Sequence, residues 1–466
     1  MSNPATSGVE LPDTELLRKF DVAAPRYTSY PTADRFHAGY TAEDYEAALR
    51  GRDQATKPAG LSLYTHIPFC NDVCYYCGCN KIVTRDHSRS SEYIDVLLQE
   101  ADLVKNVMTG SKTLEQLHWG GGTPTFLTND EIERLMGELA QRFPFAQDGE
   151  FSIEVDPRTC PTDKIEVLKR SGFNRMSLGV QDFNPEVQKA VNRVQPFELT
   201  RDVMQAARDN GFNSINMDLI YGLPKQTRDT FKKTIDQVLE LSPDRIALYH
   251  YAHLPNHFKA QRRILPADLP GTVEKVNIMF DAIRHLTENG YRYIGMDHFA
   301  KATDELSIAQ VNGTIQRNFQ GYSTRAECDM VALGASSISY VDGNFACNPR
   351  DVEPYYEAIR AGRLATCRGF KLSQEDLLRR AVIMTIMCRF SLDKREIEEE
   401  FKIDFDSTFA YELRKLTAYA KHELVELTND KIVVSAKGKI FVRAVAMQFD
   451  RYLRESDRAG GYSKIA

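Results

Sequence analysis

The sequence lacks the features that would direct a chain to a membrane, to secretion or to nucleic acid. Its 466 residues contain no run approaching the roughly 20 apolar residues that a membrane-spanning helix needs. The N-terminus has no basic segment followed by an apolar one, as a secretory signal would. The net charge of −6 provides no general attraction to nucleic acid or to anionic membranes. We therefore expect neither a membrane span nor a nucleic-acid partner.

The sequence also lacks a disulfide framework. Outside one short stretch, the cysteines stand singly and far apart, at Cys160, Cys328, Cys347, Cys367 and Cys388. Isolated thiols of this kind are typical of a reducing compartment, whereas small secreted domains carry dense cysteine patterns. We expect the protein to be cytoplasmic.

One cysteine-rich stretch stands out against this background. Cys70, Cys74 and Cys77 follow a β-prone run with C-x3-C-x2-C spacing, and Cys79 comes two residues later. Three thiolates this close in sequence can bind one soft metal centre. A structural zinc site normally takes four ligands in two pairs, and no second pair follows; a simple ferredoxin also uses four cysteines. A four-iron cluster with one open iron fits the spacing, although a zinc knuckle or buried free thiols remain alternatives.

Strand-like and helix-like segments alternate from Leu61 to Tyr251 and make six β/α units. Such alternation predicts a parallel sheet with helices outside it, and right-handed crossovers curl the sheet. We expect a partial (β/α)6 TIM-like barrel, closed on one side by a long helix and further strands. The predicted domains are residues 1–55 as an N-terminal arm, 56–370 as the barrel with its closing extension, and 371–466 as a C-terminal accessory domain.

The two ends of the chain have different patterns. The N-terminal arm is polar and proline-containing, with short helices predicted at Asp13–Phe20 and Ala42–Arg50. The C-terminal region predicts helices, a hairpin over Leu424–Ser435 and a last helix over Lys437–Arg454. This arrangement is winged-helix-like. No dense basic stripe accompanies it, so we favour an accessory role over DNA recognition.

Polar residues follow almost every predicted strand, where β/α barrels place their chemistry. Each has a purely structural alternative. The glycines 120–122 could form only a turn, and Glu154 and Asp218 could only cap helices. Functionally, the glycines permit close backbone approach to a ligand, and the two carboxylates can accept hydrogen bonds from ligand hydroxyl groups. Gln181 and Arg193 complete this predicted set, since the planar arginine fork suits a carboxylate.

The motifs resemble those of the bacterial oxygen-independent coproporphyrinogen III oxidases (dehydrogenases), a family of radical S-adenosylmethionine enzymes. The similarity extends from about Arg26 to the C-terminus. The stretches that carry it are Tyr64-Thr-His-Ile-Pro-Phe-Cys70, Cys77-Gly-Cys79, Trp119-Gly-Gly-Gly-Thr-Pro-Thr125, Glu154-Val-Asp-Pro157, Gly179-Val-Gln-Asp-Phe183, Asp218-Leu-Ile-Tyr-Gly-Leu-Pro224, Tyr251-Ala-His-Leu-Pro255, Gly295-Met-Asp-His-Phe299 and Arg317-Asn-Phe-Gln-Gly-Tyr322.

The resemblance implies a cofactor set and its ligands. Cys70, Cys74 and Cys77 would hold a 4Fe–4S cluster, with Cys79 free beside it. Two S-adenosylmethionine molecules are implied. The positions matching the first are Tyr64, Gly121, Glu154 and Ile338. The positions matching the second are Tyr76, Gly122, Thr123, Gln181, Arg193, Asp218 and Ala252.

The resemblance also implies the reaction, an oxidative decarboxylation of two propionates of coproporphyrinogen III to vinyl groups, giving protoporphyrinogen IX in haem biosynthesis. Tyr64, six residues before the first cysteine ligand, is expected at the reaction centre. A substrate with four carboxylates needs cationic anchors, for which Arg26, Arg317 and Arg325 are candidates. We expect a monomer that takes electrons from a donor such as a flavodoxin or a ferredoxin.

Three other functions remain open at this point. A haem-binding chaperone could use the same scaffold without turnover. Another radical enzyme could modify a porphyrin, and a regulator could act through the winged-helix-like region. The Arg-Asn-Phe-Gln-Gly-Tyr stretch and the Cys-Gly-Cys extension favour the decarboxylating family over the chaperones.

Overall fold

The computed structural model describes residues 8–54, 59–325, 328–454 and 462. The chain forms two compact units. The barrel unit consists of Phe36–Gly271 and Glu327–Lys371, and the terminal unit consists of Met1–Arg35, Thr272–Ala326 and Leu372–Ala466. The division into domains at residues 55/56 and 370/371 stays a prediction.

The strands are short to medium in length and are numbered in chain order. They are β1 Gly60–Ile67, β2 Phe69–Cys70, β3 Ile82–Val83, β4 Leu114–Gly121, β5 Phe145–Val155, β6 Arg175–Gln181, β7 Ser214–Tyr221, β8 Arg245–His250, β9 Tyr291–Gly295, β10 His298–Lys301, β11 Gln316–Asn318, β12 Gly321–Ser323, β13 Cys328–Leu333, β14 Ile338–Val341, β15 Asn344–Cys347, β16 Arg368–Lys371, β17 Ser391–Asp393, β18 Val425–Leu427 and β19 Lys431–Val434.

The helices are numbered in the same way. They are α1 Thr14–Phe20, α2 Ala42–Arg52, α3 Ser88–Val107, α4 Asn129–Arg142, α5 Thr162–Arg170, α6 Pro185–Ala190, α7 Phe197–Asp209, α8 Arg228–Leu241, α9 Thr272–Glu288, α10 Glu305–Val311, α11 Val352–Arg360, α12 Gln374–Arg389, α13 Lys394–Phe401, α14 Phe405–Thr408, α15 Ala410–Ala420, α16 Val442–Ala446 and α17 Arg451–Arg454. None of the described helices is long and apolar enough to cross a membrane.

The barrel unit is built on a parallel sheet with the strand order β1-β4-β5-β6-β7-β8. Each neighbouring pair in this row is parallel, and at least one helix connects each strand to the next. The six predicted β/α units are therefore confirmed. The row stays an open sheet, with β8 and β16 at the two ends of the strands that belong to this unit.

Local sequence explains why the connecting segments are helical. In α4, Thr128 accepts from the backbone N–H of Glu131, and the Glu131 side chain accepts from Thr128 N, a reciprocal capping box. Such a cap stabilises a helix by about 1 kcal/mol. The buried residues of α4, Ile132, Leu135, Met136 and Leu139, recur at helical spacing and form one apolar face. The same capping pattern begins α8 at Thr227.

The extension after residue 327 adds strands to the β1 edge of the sheet. β13 pairs with β1 in parallel, and β14, β15 and β16 continue the sheet antiparallel. β13 and β14 are separate strands because the chain turns at Gly334, whose φ is +99°. Glycine adopts this conformation without steric cost.

The terminal unit contains the first predicted N-terminal helix and the C-terminal helical region, whereas the second predicted N-terminal helix, α2, belongs to the barrel unit. Asp13 caps α1 by accepting from Leu16 N, and α9 spans Thr272–Glu288 where a long helix is predicted. In the C-terminal region α12, α13 and α15 precede a hairpin of β18 and β19, which turns at residues 428–430 and also pairs with β17.

The predicted continuous helix over Lys437–Arg454 is wrong. The segment consists of short helical turns, including α16 and α17, separated by Asp450 in an extended conformation. Asp450 accepts from Tyr27 Oη at 3.0 Å and from the backbone N–H of Tyr452 at 2.9 Å. A tertiary contact to the N-terminal arm thereby restarts the helix, which periodicity within the segment cannot predict.

Candidate active site

A cavity of about 350 Å³ lies at the carboxyl ends of the parallel strands in the barrel unit. Nearly every predicted strand-end group reaches it. The predicted residues that line it are Cys70, Cys74, Tyr76, Cys77, Gly121, Gly122, Thr123, Glu154, Gln181, Arg193 and Asp218. Residues far apart in the sequence are therefore brought together at one site, as β/α architecture requires.

Backbone hydrogen bonds fix the cysteine loop to the barrel. β2 and β3 pair in parallel, with Cys70 opposite Val83, so both ends of the loop are held. Within the loop, Cys77 N donates to Cys74 O at 3.2 Å, and Tyr75 N donates to Val191 O at 2.9 Å. These hydrogen bonds fix the backbone conformation of the loop.

The three thiols line the same cavity in polar surroundings. Thr123 Oγ1 lies 3.4 Å from Cys70 Sγ, and Arg158 Nη2 and Arg193 Nη1 lie 3.5 and 3.6 Å from Cys74 Sγ. Burial raises the pKa of Cys70 to about 11. A hydrogen bond with the Cys79 thiol, helped by Lys81, lowers the pKa of Cys77.

These thiols fit an iron–sulfur cluster by donor type and location. All three line one cavity, and cationic or hydroxyl donors stand beside two of the sulfurs, as anionic cluster sulfur requires. In the described residues, no three His, Cys, Asp or Glu side chains already form a complete set of metal ligands.

Glu154 is the carboxylate at the end of β5. Its Oε2 accepts from Gly121 N at 3.2 Å, and its Oε1 lies 3.4 Å from His118 Nε2. Burial of the carboxyl is the largest single influence and opposes ionisation, but the interactions with His118 and the Gly121 N–H together outweigh it, so the pKa of Glu154 is lowered. Its side chain remains 44% exposed because it faces the cavity. Glu154 is therefore an ionised acceptor at the cavity wall.

Asp218 is the matching carboxylate at β7, in a different hydrogen-bond environment. Ser177 Oγ donates to its Oδ2 at 2.9 Å, and Asn216 Nδ2 donates to its Oδ1 at 2.8 Å. Burial, and then the nearby charge of Glu154, raise the pKa of Asp218 to about 6. The two carboxylates thus differ in how readily they ionise.

A buried arginine closes the side of the cavity near Cys74. Arg193 donates from Nη1 to Asp156 Oδ2 at 3.1 Å and from Nη2 to Gly179 O at 2.6 Å. Arg158 shares the same carboxylate, at 2.7 Å from Nη2. Asp156 and Arg158 line the cavity without having been predicted as site residues. Their signal was available in the Glu154-Val-Asp-Pro-Arg158 stretch, where two charges directly follow a strand.

The glycine turn after β4 depends on close approach of neighbouring protein atoms. Gly121 has a φ of +119°, and an added Cβ there would lie 2.7 Å from the His66 ring. A Cβ at Gly122 would lie 2.6 Å from Pro68 O. The backbone can pass beside the cysteine loop only because both residues lack side chains.

Tyr64 lies beside His118, the residue that contacts Glu154, and does not itself line the cavity. Its ring stacks on His118 at 5.9 Å between centroids, and its hydroxyl lies 3.1 Å from His66 Nδ1. His66 Nε2 lies 3.0 Å from Asn80 O, a carbonyl that can only accept. Nε2 therefore carries the proton, and Nδ1 accepts from the Tyr64 hydroxyl. His118 was missed because its role depends on Glu154, which lies on the neighbouring strand and 36 residues away in sequence.

The remaining predicted residues lie elsewhere. Ile338 begins β14 opposite Cys347, and Ala252 is exposed just beyond β8; neither lines the cavity. The anchors Arg26, Arg317 and Arg325 belong to the terminal unit. There Arg26 pairs with Asp297, and Arg317 Nε donates to Arg26 O at 3.3 Å.

The open parallel barrel with a three-cysteine loop at its strand ends defines a radical S-adenosylmethionine protein. Residues 64–238 match the model of the radical SAM superfamily, and residues 372–441 match that of the HemN C-terminal domain. The oxygen-independent coproporphyrinogen III oxidase of Pseudomonas aeruginosa is 46% identical over 96% of this chain and 97% of its own length. The Escherichia coli protein of the same name is 44% identical, over 97% and 98%.

A solved structure gives the same result at the level of the fold. The structure of E. coli coproporphyrinogen III oxidase (HemN), described as a radical SAM enzyme, superposes with a TM-score of 0.91. It covers 96% of this chain and all of its own, at 44% identity. The chain belongs to the oxygen-independent coproporphyrinogen III oxidase family.

Proposed function

We propose that this protein converts two propionate side chains of coproporphyrinogen III to vinyl groups without oxygen, giving protoporphyrinogen IX for haem biosynthesis. The observation that carries the proposal is one cavity in which a three-cysteine loop meets two carboxylates from separate strands, Glu154 and Asp218. Relatives that are coproporphyrinogen III oxidases by name match the chain over nearly its whole length. The superfamily match implies a 4Fe–4S cluster and S-adenosylmethionine.

Cys70, Cys74 and Cys77 are the proposed cluster ligands. When bound, the cluster supplies the electron that cleaves S-adenosylmethionine to the radical that removes a hydrogen from the substrate. The protein's own part is to hold the thiolates and to balance their charge. Arg158 and Arg193 beside Cys74, and Lys81 beside Cys77, serve that purpose.

We further propose two S-adenosylmethionine sites. Glu154, with Tyr64, Gly121 and Ile338, belongs to the first. Asp218 belongs to the second, together with Tyr76, Gly122, Thr123, Gln181, Arg193 and Ala252. Support comes from the separate hydrogen-bond sets of the two carboxylates, each of which leaves acceptor capacity on an oxygen for a ribose hydroxyl.

The proposal also covers the reaction centre, the substrate anchors, the domains and the cellular setting. Tyr64 acts at the reaction centre, and Arg26, Arg317 and Arg325 anchor substrate carboxylates. Residues 56–370 form the catalytic domain, between the arm 1–55 and the accessory domain 371–466. We place the protein in the cytoplasm as a monomer, reduced by a flavodoxin or a ferredoxin. The nine cysteines are all free, in keeping with a reducing compartment.

The test is an anaerobic incubation of the reconstituted protein with coproporphyrinogen III, S-adenosylmethionine and dithionite. Chromatography should show protoporphyrinogen IX, detected after oxidation, together with 5′-deoxyadenosine. Cys74→Ser protein, prepared in parallel, should produce neither compound. Tight haem binding with no turnover by the wild type would replace this function with a haem-carrying one.

A further inference from the structure

A basic surface segment lies directly after β8. Residues 254–265 contain Lys259, Arg262 and Arg263 and no acidic residue, although the chain as a whole has a net charge of −6. All three cations are exposed, and none forms an ion pair within the described part of the chain. Exposed apolar side chains frame them, with Leu254 at 45% and Leu265 at 63%. The segment therefore combines unneutralised positive charge with exposed apolar area.

The segment is built onto the cysteine loop. Buried Gln261 accepts from Leu254 N at 2.5 Å and donates to Tyr76 O at 2.9 Å. The Arg263 guanidinium lies 5.1 Å from the centre of the Tyr75 ring, and its Nη1 lies 3.3 Å from Tyr75 Oη.

A second contact reaches the residue beside a proposed cluster ligand. A Cβ added to Gly78 would come within 3.0 Å of the Phe258 ring, so this ring packs on the backbone next to Cys77. Ile264 anchors the far end of the segment in a buried cluster with Val191, Leu223 and Tyr251. A molecule resting on the segment would therefore sit close to the loop that holds the proposed cluster.

The three cations do not belong to the cavity. Its basic lining residues are Lys81, Arg158 and Arg193, whereas Lys259, Arg262 and Arg263 are outside it and are exposed. A cation that recognises a carboxylate of the reacting molecule would be expected to line the cavity. The charge of the segment is instead available to a partner that approaches the outside of the loop.

We infer that residues 254–265 form a docking surface for an acidic one-electron carrier protein that reduces the cluster. This inference rests on the proposed function. One electron passes from the reduced carrier, which is oxidised, to the oxidised cluster, which is reduced; no bond is formed or broken. Complementary charge speeds the encounter, and the small apolar margin suits the limited interfaces of electron-transfer partners.

The charge of the segment can be reversed without touching the cavity. In the Lys259→Glu/Arg262→Glu protein, with its cluster intact by absorbance, an acidic flavodoxin should bind at least about tenfold more weakly in low salt. Wild-type binding should weaken steeply as salt is raised, and the double variant should lose most of that dependence. The charge-neutral pair Lys259→Gln/Arg262→Gln should fall between the two.

The matched control is Lys232→Glu/Lys233→Glu on α8, which changes the net charge equally at another exposed site. It should bind flavodoxin within about twofold of the wild type. Dithionite-driven turnover should be unchanged in every variant because dithionite needs no docking surface.

Two results would overturn the inference. One is unchanged flavodoxin binding by both double variants in the segment. The other is a raised KM for coproporphyrinogen III under dithionite, which would assign the cations to the substrate. Failure of the proposed function itself would look different: the wild type would make no protoporphyrinogen IX with dithionite, whatever its affinity for flavodoxin.

Discussion

The hydroxyl of Tyr64 donates a hydrogen bond to Nδ1 of His66, at 3.1 Å, while the Asn80 carbonyl fixes the imidazole from the other side. Burial lowers the pKa of His66 and so keeps the ring neutral. The orientation of the tyrosine therefore depends on one tautomer of its neighbour. The Tyr64 ring is held in addition by the parallel ring of His118.

Tyr64→Phe tests whether this tyrosine takes part in the reaction. The ring and its stacking on His118 are retained, so the fold and the cluster should stay intact. Loss of the hydroxyl should lower product formation by about tenfold or more, as expected when a positioned polar group is removed. Turnover is measured by chromatography and cluster content by absorbance. Wild-type turnover with a normal cluster would make Tyr64 a packing residue.

If three cysteines hold the cluster, substitution of Cys74 and substitution of Cys79 should have different effects. Cys74→Ser should abolish stable incorporation of the brown chromophore because a ligand is lost. Cys79→Ser should retain it, since Cys79 is the proposed free thiol. Iron and sulfide analysis after anaerobic reconstitution gives the comparison. Iron loss from Cys79→Ser as complete as that from Cys74→Ser would contradict the assignment.

Binding stoichiometry distinguishes the two proposed carboxylate sites. Anaerobic equilibrium binding of S-adenosylmethionine to the reconstituted wild type should saturate near two equivalents. Glu154→Gln should weaken one equivalent and Asp218→Asn the other, because each removes a different charged acceptor. Charge-assisted hydrogen bonds of this kind contribute about 1.5–3 kcal/mol. Saturation of the wild type at a single equivalent would rule out the second site.

Much of the barrel could be predicted because its signals are local. Capping residues such as Thr128 begin the helices, and apolar residues alternate along strands such as β7. Parallel strands then bring all their carboxyl ends to one edge, so residues after the strands were expected to meet. The lining of the cavity agrees with that expectation at Glu154, Gln181 and Asp218.

The misses share a different physical origin. His118 acts through Glu154 on the neighbouring strand β5, and Asp450 interrupts the last helix through its contact with Tyr27. These interactions join residues that are distant in sequence, so no periodicity records them. The strands β14 to β16 were indistinct for the same reason, since each takes its register from the strand that precedes it in the sheet.

A buried carboxylate outside the cavity, Glu100 of α3, should stabilise the barrel unit. It accepts from Gly334 N at 2.7 Å, from Tyr355 Oη at 2.7 Å and from Asn348 Nδ2 at 2.6 Å. Glu100→Gln puts an amide donor against these donors and should cost about 1–3 kcal/mol. Exposed Glu92 on the same helix is the control, and Glu92→Gln should change stability by less than about 0.5 kcal/mol. Urea unfolding midpoints give the comparison, and equal midpoints for the two variants would contradict the prediction.

The pH dependence of Glu100 has a definite sign. Burial raises its pKa from 4.5 to about 7, so the folded state holds this proton to higher pH than the unfolded state. Between these two values the folded state binds more protons, and the contribution of Glu100 to stability falls as pH rises. The Glu100→Gln protein should lack this pH-dependent contribution to the free energy of unfolding. If the free energy of unfolding of the wild type and of the variant changed in parallel across this pH range, Glu100 would not be the source of the dependence.

Asp218 should make the second equivalent of S-adenosylmethionine sensitive to acid. Burial and then Glu154 raise the pKa of Asp218 to about 6, whereas the pKa of Glu154 is lowered despite its burial, through His118. If the ionised Asp218 must accept from a ribose hydroxyl, affinity for that equivalent should fall by about tenfold for each pH unit below the pKa. The equivalent held at Glu154 should persist. Equilibrium binding at about pH 5 and pH 7.5 measures both, with Asp218→Asn as the control that should bind the second equivalent weakly at either pH. Parallel weakening of both equivalents in the wild type, or an unchanged acid step in Asp218→Asn, would show that another group controls the pH dependence.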